Sequence, residues 1–127
     1  MRQTTLVGPD GVAWTVDVPE SWRERTRGLI GARLLGPHHA MLLERCRWVH
    51  TFGMRFPIDV VFLDRDLQVV DVRRVDPGRL TQPRLRARHV LECPADSGLR
   101  QGDRLSPRTR NDANASRDAS EDDPSRS

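Results

Sequence analysis

Hydrophobic and polar positions divide the chain into short β-like runs with one helical interruption. Val12, Trp14, Val16 and Val18 alternate with Ala13, Thr15 and Asp17, the period of two of a strand with one face on a core. Residues 4–7 form a second short run ahead of it. Between the two lies Gly8-Pro9-Asp10-Gly11, a strong turn signal, so residues 4–18 read as a hairpin. The period then changes. Ser21 and Glu24 have the spacing of a capping box, and Trp22, Thr26, Leu29 and Ile30 recur at helical spacing. One short helix is predicted there, ending near Gly28 or Gly31. From residue 40 onward the signals return to β, over 40–44, 58–63, 68–75, 89–93 and 104–105. Asp64-Arg65-Asp66 is a tight connection, Pro77-Gly78 and Gln82-Pro83 punctuate a longer loop, and Gly98 with Gly102-Asp103 marks a final turn. About seven short strands and one short helix describe a mainly β fold, a small sandwich or partial barrel.

The pattern stops at residue 107. From there to 127, prolines apart, the only apolar side chains are Ala113, Ala115 and Ala119. Such a stretch buries too little surface to offset the entropy of ordering it. Residues 1–106 are therefore expected to be a single β-rich domain and 107–127 a disordered polar tail.

Charge narrows the partners. All 21 basic residues are arginine, set against 18 acids for a net charge of +3. The two signs are interspersed along the sequence, whereas a nucleic-acid binder concentrates its charge in a patch. Arg84, Arg86 and Arg88 alternate as on the solvent face of a half-buried sheet. Nucleic acid is thus a disfavoured partner. The chain opens without a signal-peptide pattern, no apolar run reaches membrane-spanning length, and Cys46 and Cys93 are expected to stay reduced. The expectation is a cytoplasmic monomer with no membrane contact.

The most informative block is 50–64, where a His, a Met, an Arg and a Phe-Pro step lead into Ile58-Asp59-Val60-Val61-Phe62-Leu63. Asp59 stands where a core strand would carry another Val, so it must be paired, hydrogen-bonded or facing a cleft. This block, taken from Val49 to Asp64, with Arg27-Gly28-Leu29-Ile30-Gly31, Ala40-Met41-Leu42-Leu43, and Val90-Leu91-Glu92-Cys93-Pro94 followed by Gly98, Gly102 and Asp103, resembles domain-of-unknown-function family 192. The likeness spans roughly 22–105. Cys93 stands where the family has an apolar residue, and Ala95-Asp96 where it commonly has Ala-Gly. The resemblance implies a small β-rich fold and no particular reaction, cofactor or partner.

Asp59, Glu92 and Asp103 could gather as carboxylates around a cleft, or act structurally, Asp103 with Gly102 closing a turn and the other two accepting bonds from loop amides or Arg55. The second reading is preferred. Cys46 and His50, like His89 and Cys93, are four apart; on a strand that is about 13 Å, too far for His89 and Cys93 to share one zinc ion, while Cys46 and His50 could share one if 47–49 turns sharply. No metal or other cofactor is expected. His38 and His39 are expected in an exposed loop, and Trp14, Trp22 and Trp48 as core or rim aromatics. The candidate ligand site consists of His50, Met54, Arg55, Asp59 and Glu92, with Arg55 holding an anionic group of a small ligand or protein and Asp59 orienting it. The leading expectation is a non-catalytic binding or accessory module. A small hydrolase-like enzyme using Asp59 or Glu92 as general base is the alternative, and a nucleic-acid accessory protein the third.

Overall fold

In the computed structural model, residues 2–21 and 38–108 are described. The Gly8–Gly11 turn folds β1 (Arg2–Val7) back onto β2 (Ala13–Val18) as the expected antiparallel hairpin, with Val7 opposite Ala13 and Arg2 opposite Val18. There follow β3 (His39–Leu43), β4 (Ile58–Leu63), β5 (Val69–Val75), β6 (His89–Pro94) and β7 (Ser106–Pro107). All seven join one curled half-barrel sheet in the order β5-β4-β6-β3-β2-β1-β7. The mainly β reading and its strand count hold. Of the two architectures expected from sequence, the structure is the partial barrel.

Every neighbouring pair is antiparallel except β2–β3, where Val16 lies opposite Ala40. A parallel pair needs a crossover connection. The predicted helix falls within that crossover, at residues outside the described ones. Among the described residues there is no helix, and none long and apolar enough to cross a membrane.

The curl places the two sheet edges near one another. Residues 102–105 run beside the start of β5, with Leu105 N–H donating to Leu67 O at 3.0 Å and Val69 N–H to Asp103 O at 2.7 Å. The chain then enters β7, which pairs with β1 at Leu6↔Pro107, so one short segment ties both edges together. The predicted strand at 104–105 is thereby moved two residues on. Arg104 makes a single bridge to Gln68, and Leu105 fills the core. Pairing also continues one residue beyond the expected domain boundary at 106, and Arg108 N–H donates to Thr5 O.

Because side chains alternate across a sheet, the apolar residues divide into two cores. The inner one, on the concave side, contains Trp14, Val16, Val61, Leu63, Leu91 and Leu105. The other contains Met41, Met54, Ile58, Val60, Phe62 and Val90 on the opposite face. β4 lies between β5 and β6 and has all six residues buried, which explains its nearly uninterrupted apolar run.

Two local readings are corrected. Residues 84–88 are not a strand face: Ala87 N–H donates to Arg84 O at 3.0 Å, and the chain turns there. His39 is not an exposed loop residue. It opens β3, is half-buried, and its Nε2 lies 2.7 Å from Asp17 Oδ2 on β2.

Candidate functional site

The outer core is roofed by two segments distant in sequence, 45–57 and 76–88. Polar bonds hold them side by side. Thr81 N–H donates to Val49 O at 2.9 Å, Thr51 N–H to Arg79 O at 2.8 Å, and Arg84 N–H to Arg47 O at 3.2 Å. Thr51, with no exposed surface, anchors the layer: its hydroxyl donates to Asp76 O at 2.6 Å and accepts from Arg79 N–H at 2.8 Å. Beyond it the chain turns sharply, Met54 N–H closing on Thr51 O, with Gly53 at φ 83°. That left-handed conformation suits glycine and strains other residues. Met54 follows and is buried in the outer core.

The candidate residues do not gather at one place. His50 is exposed on the roof, its Nδ1 accepting from Phe52 N–H at 3.3 Å. Arg55 is exposed on the same roof, and among the described residues it makes no ion pair with Asp59. Asp59 lies opposite Cys93 in the β4–β6 ladder, on the inner-core face shared by Val61 and Leu63. Its Oδ2 accepts from Ser97 N–H at 2.9 Å, a loop amide. Glu92 lies opposite Met41 on one side and Val60 on the other, on the outer-core face. Alternation therefore directs Asp59 and Glu92 to opposite sides of the sheet. Asp103 is elsewhere again, its Oδ2 accepting from Arg100 N–H at 2.9 Å in the turn containing Gly102. The three acids share no cleft.

Glu92 is electrostatically the most unusual of them. It is 3 % exposed, and its Oε2 has no hydrogen-bond partner. Desolvation pushes its pKa from 4.5 up to about 8, so at neutral pH it is mostly a protonated acid. Burial likewise pushes the Cys93 thiol up to about 12, which leaves it unreactive. An acid that already holds its proton and lies beneath the roof is poorly suited to serve as a general base. Cys46 donates through its sulfur to Trp48 O at 2.9 Å. Among the described residues, no three His, Cys, Asp or Glu side chains form a metal-binding group.

What the sequence did not reveal is the outer surface of the roof. Trp48, His50 and Phe52 are exposed while Val49 and Thr51 between them are buried. Large exposed hydrophobics among the described residues are Trp48, Phe52, Phe56, Leu80 and Leu85, all on the roof. The 26 residues of its two segments contain seven arginines and one acid, Asp76. That is +6 in a chain of net +3, so the remaining residues sum to −3. The signal was present as two arginine-rich stretches, but nothing in either one indicates that they adjoin. An open cavity of about 480 Å³ lies at the start of β5, lined by Asp64, Gln68, Val69, Gln101 and Arg86 among others, with Arg86 contributed by the roof.

Comparison with known proteins bears on the fold and the family. Among solved structures, a chain from Sinorhizobium meliloti 1021, named as a candidate transcription regulator, superposes with a TM-score of 0.69 at 24 % identity, covering 83 % of this chain and 92 % of that one. A protein of unknown function from Novosphingobium aromaticivorans DSM 12444 gives a TM-score of 0.67 at 20 % identity, covering 82 % and 83 %. At these identities the likeness is one of fold. A UPF0127 protein of Pyrococcus horikoshii is 46 % identical over 46 residues, 36 % of this chain and 40 % of that protein. A UPF0127 protein of Pyrococcus abyssi is 34 % identical over 92 residues, 68 % of this chain and 74 % of its own length. The profile of DUF192, described as an uncharacterized ACR, matches residues 5–107, so the chain belongs to the DUF192 family.

Proposed function

We propose that this protein is a non-catalytic binding module that engages an anionic partner through the roof formed by residues 45–57 and 76–88. The observation that carries this reading is the charge separation, +6 on the roof against −3 on the rest of the chain. Guanidinium groups pair with carboxylates and phosphates in a two-pronged geometry, which makes clustered exposed arginines an anion-binding surface. Arg55 and His50 keep the ligand-facing roles expected of them. Asp59 and Glu92 are better read as parts of the scaffold, one bonded to the Ser97 amide and the other buried beneath the roof.

The test is retention on immobilised heparin, a sulfated polyanion. The wild-type chain is expected to elute well above the salt needed for a neutral protein. Replacing both Arg55 and Arg79 by Ala should lower that salt substantially while leaving the thermal transition in place, since both side chains are exposed. Equal elution of wild type and double variant would remove the roof from consideration.

A further inference from the structure

We infer that the anionic partner is a single-stranded nucleic acid, its bases stacking on the ring row Trp48–His50–Phe52 and its phosphates held by the surrounding arginines. This rests on the roof being the contact surface and adds the chemistry of what it contacts.

The ring row begins like a strand and ends in a turn. Exposed Trp48 and His50 alternate with buried Val49 and Thr51, and exposed Phe52 opens the turn that Met54 N–H closes on Thr51 O. The backbone beneath them is fixed by neighbouring chain. Val49 N–H donates to the Thr81 hydroxyl at 2.8 Å, His50 bridges to Leu80, and Thr51 bonds to Arg79. The His50 and Phe52 rings lie nearly parallel, 21° apart with centroids 4.9 Å from one another. Their facing sides are filled by one another, so the outer faces of this pair, with the exposed Trp48 ring, are what is left for bases of any sequence to stack on.

Exposed cations share the roof with the rings. Arg45, Arg55, Arg79, Arg86 and Arg88 are exposed and enter no ion pair with the described residues. Arg84 differs: it is half-buried, bonded to Asp71 Oδ2 at 2.9 Å and placed over the Phe62 ring, so it serves the scaffold. Rings and guanidinium groups are interleaved along 45–57, and the adjoining 76–88 adds four arginines and no ring. A membrane-inserting loop instead separates an apolar tip from a basic rim, and a second copy of the same face would bring +6 against +6. Interleaving suits a polymer that itself alternates flat apolar bases with phosphates.

The experiment titrates the full chain into fluorescein-labelled single-stranded (dT)20 and U20, a 20-base-pair duplex, and vesicles of phosphatidylcholine with phosphatidylserine, at 50 and 200 mM NaCl. Single strands are expected to bind more tightly than duplex. Contact with about three phosphates should weaken binding roughly twenty-fold over that salt step. Phe52→Leu keeps an apolar side chain but removes the ring, and should weaken single-strand binding about ten-fold. The Arg55→Ala, Arg79→Ala variant should flatten the salt dependence. Heparin retention without binding of either oligonucleotide would leave an anion-binding surface and overturn the nucleic-acid assignment. So would binding of vesicles alone, or equal binding of duplex with Phe52→Leu unaffected. Loss of heparin retention as well would overturn both readings.

Discussion

At the scale of single residues, the structure separates acids that look alike in the sequence. Asp59 and Glu92 each interrupt an apolar strand, yet one meets a loop amide and the other meets none. For Glu92, a folded pKa near 8 against an ordinary 4.5 means that the folded chain keeps a proton the unfolded chain releases. Its stabilising contribution is full below pH 4.5, declines as pH rises, and is lost above about 8. Glu92→Gln, which imitates the neutral acid, should match wild type near pH 5 and melt roughly ten degrees higher at pH 8, flattening the pH profile of Tm. A parallel loss of Tm with pH in both proteins would show that another group governs it. Asp96 presents a different case. It occupies φ 65°, a left-handed conformation natural to glycine, at the position where the family resemblance expects Gly. Its 3.5 Å ion pair with Arg74 is exposed and contributes little. Asp96→Gly should therefore be neutral or slightly stabilising, whereas Asp96→Ala should cost about 1 kcal/mol by denaturant melting. The sequence identified Asp59 as needing a partner, because a charge in an apolar run is visible in one dimension. It could not show that Asp59 and Glu92 face opposite ways, since that depends on the register Asp59↔Cys93 and Val60↔Glu92.

At the scale of elements, strands were legible and the roof was not. Each strand of the sheet except β7 carries its own apolar pattern, and period and turn residues sufficed to find it. The roof is a pairing of two irregular segments about 30 residues apart, made by scattered backbone bonds and one buried hydroxyl, none of which leaves a periodic trace. The same reason explains the misreading of residues 84–88, whose alternation of arginines belongs to a turn. Thr51 holds this element. Thr51→Val keeps shape but removes both hydroxyl bonds, leaving Asp76 O and Arg79 N–H without that partner. The expected cost is about 1–3 kcal/mol, with faster amide exchange over 76–81 and little change in β1 and β2. Uniform loss of protection across the sheet would instead mark Thr51 as part of the global core.

At the scale of the whole molecule, residues 102–108 close the sheet, and β4 is covered by a strand on either side. The closure was partly legible: a final turn at Gly102-Asp103 was evident, but the tie from residues 102–105 to β5 and from β7 to β1 depends on curl, which no local pattern encodes. β4 has a consequence beyond packing. Outside the native sheet, Ile58-Asp59-Val60-Val61-Phe62-Leu63 is a six-residue segment of high β propensity, the kind that stacks into intermolecular cross-β assemblies, and Asp59 is its single charge. In the folded protein that carboxylate accepts from Ser97 N–H, a bond an asparagine oxygen can also accept. During refolding the same charge is expected to act as a gatekeeper, repelling copies of the segment before β5 and β6 cover it. Asp59→Asn should keep a Tm within a few degrees of wild type, yet lose refolding yield several-fold at high protein concentration, with rising light scatter. Matching yields for the two proteins would confine Asp59 to its native bond; a selective loss would mean that this buried acid protects the chain chiefly before it folds.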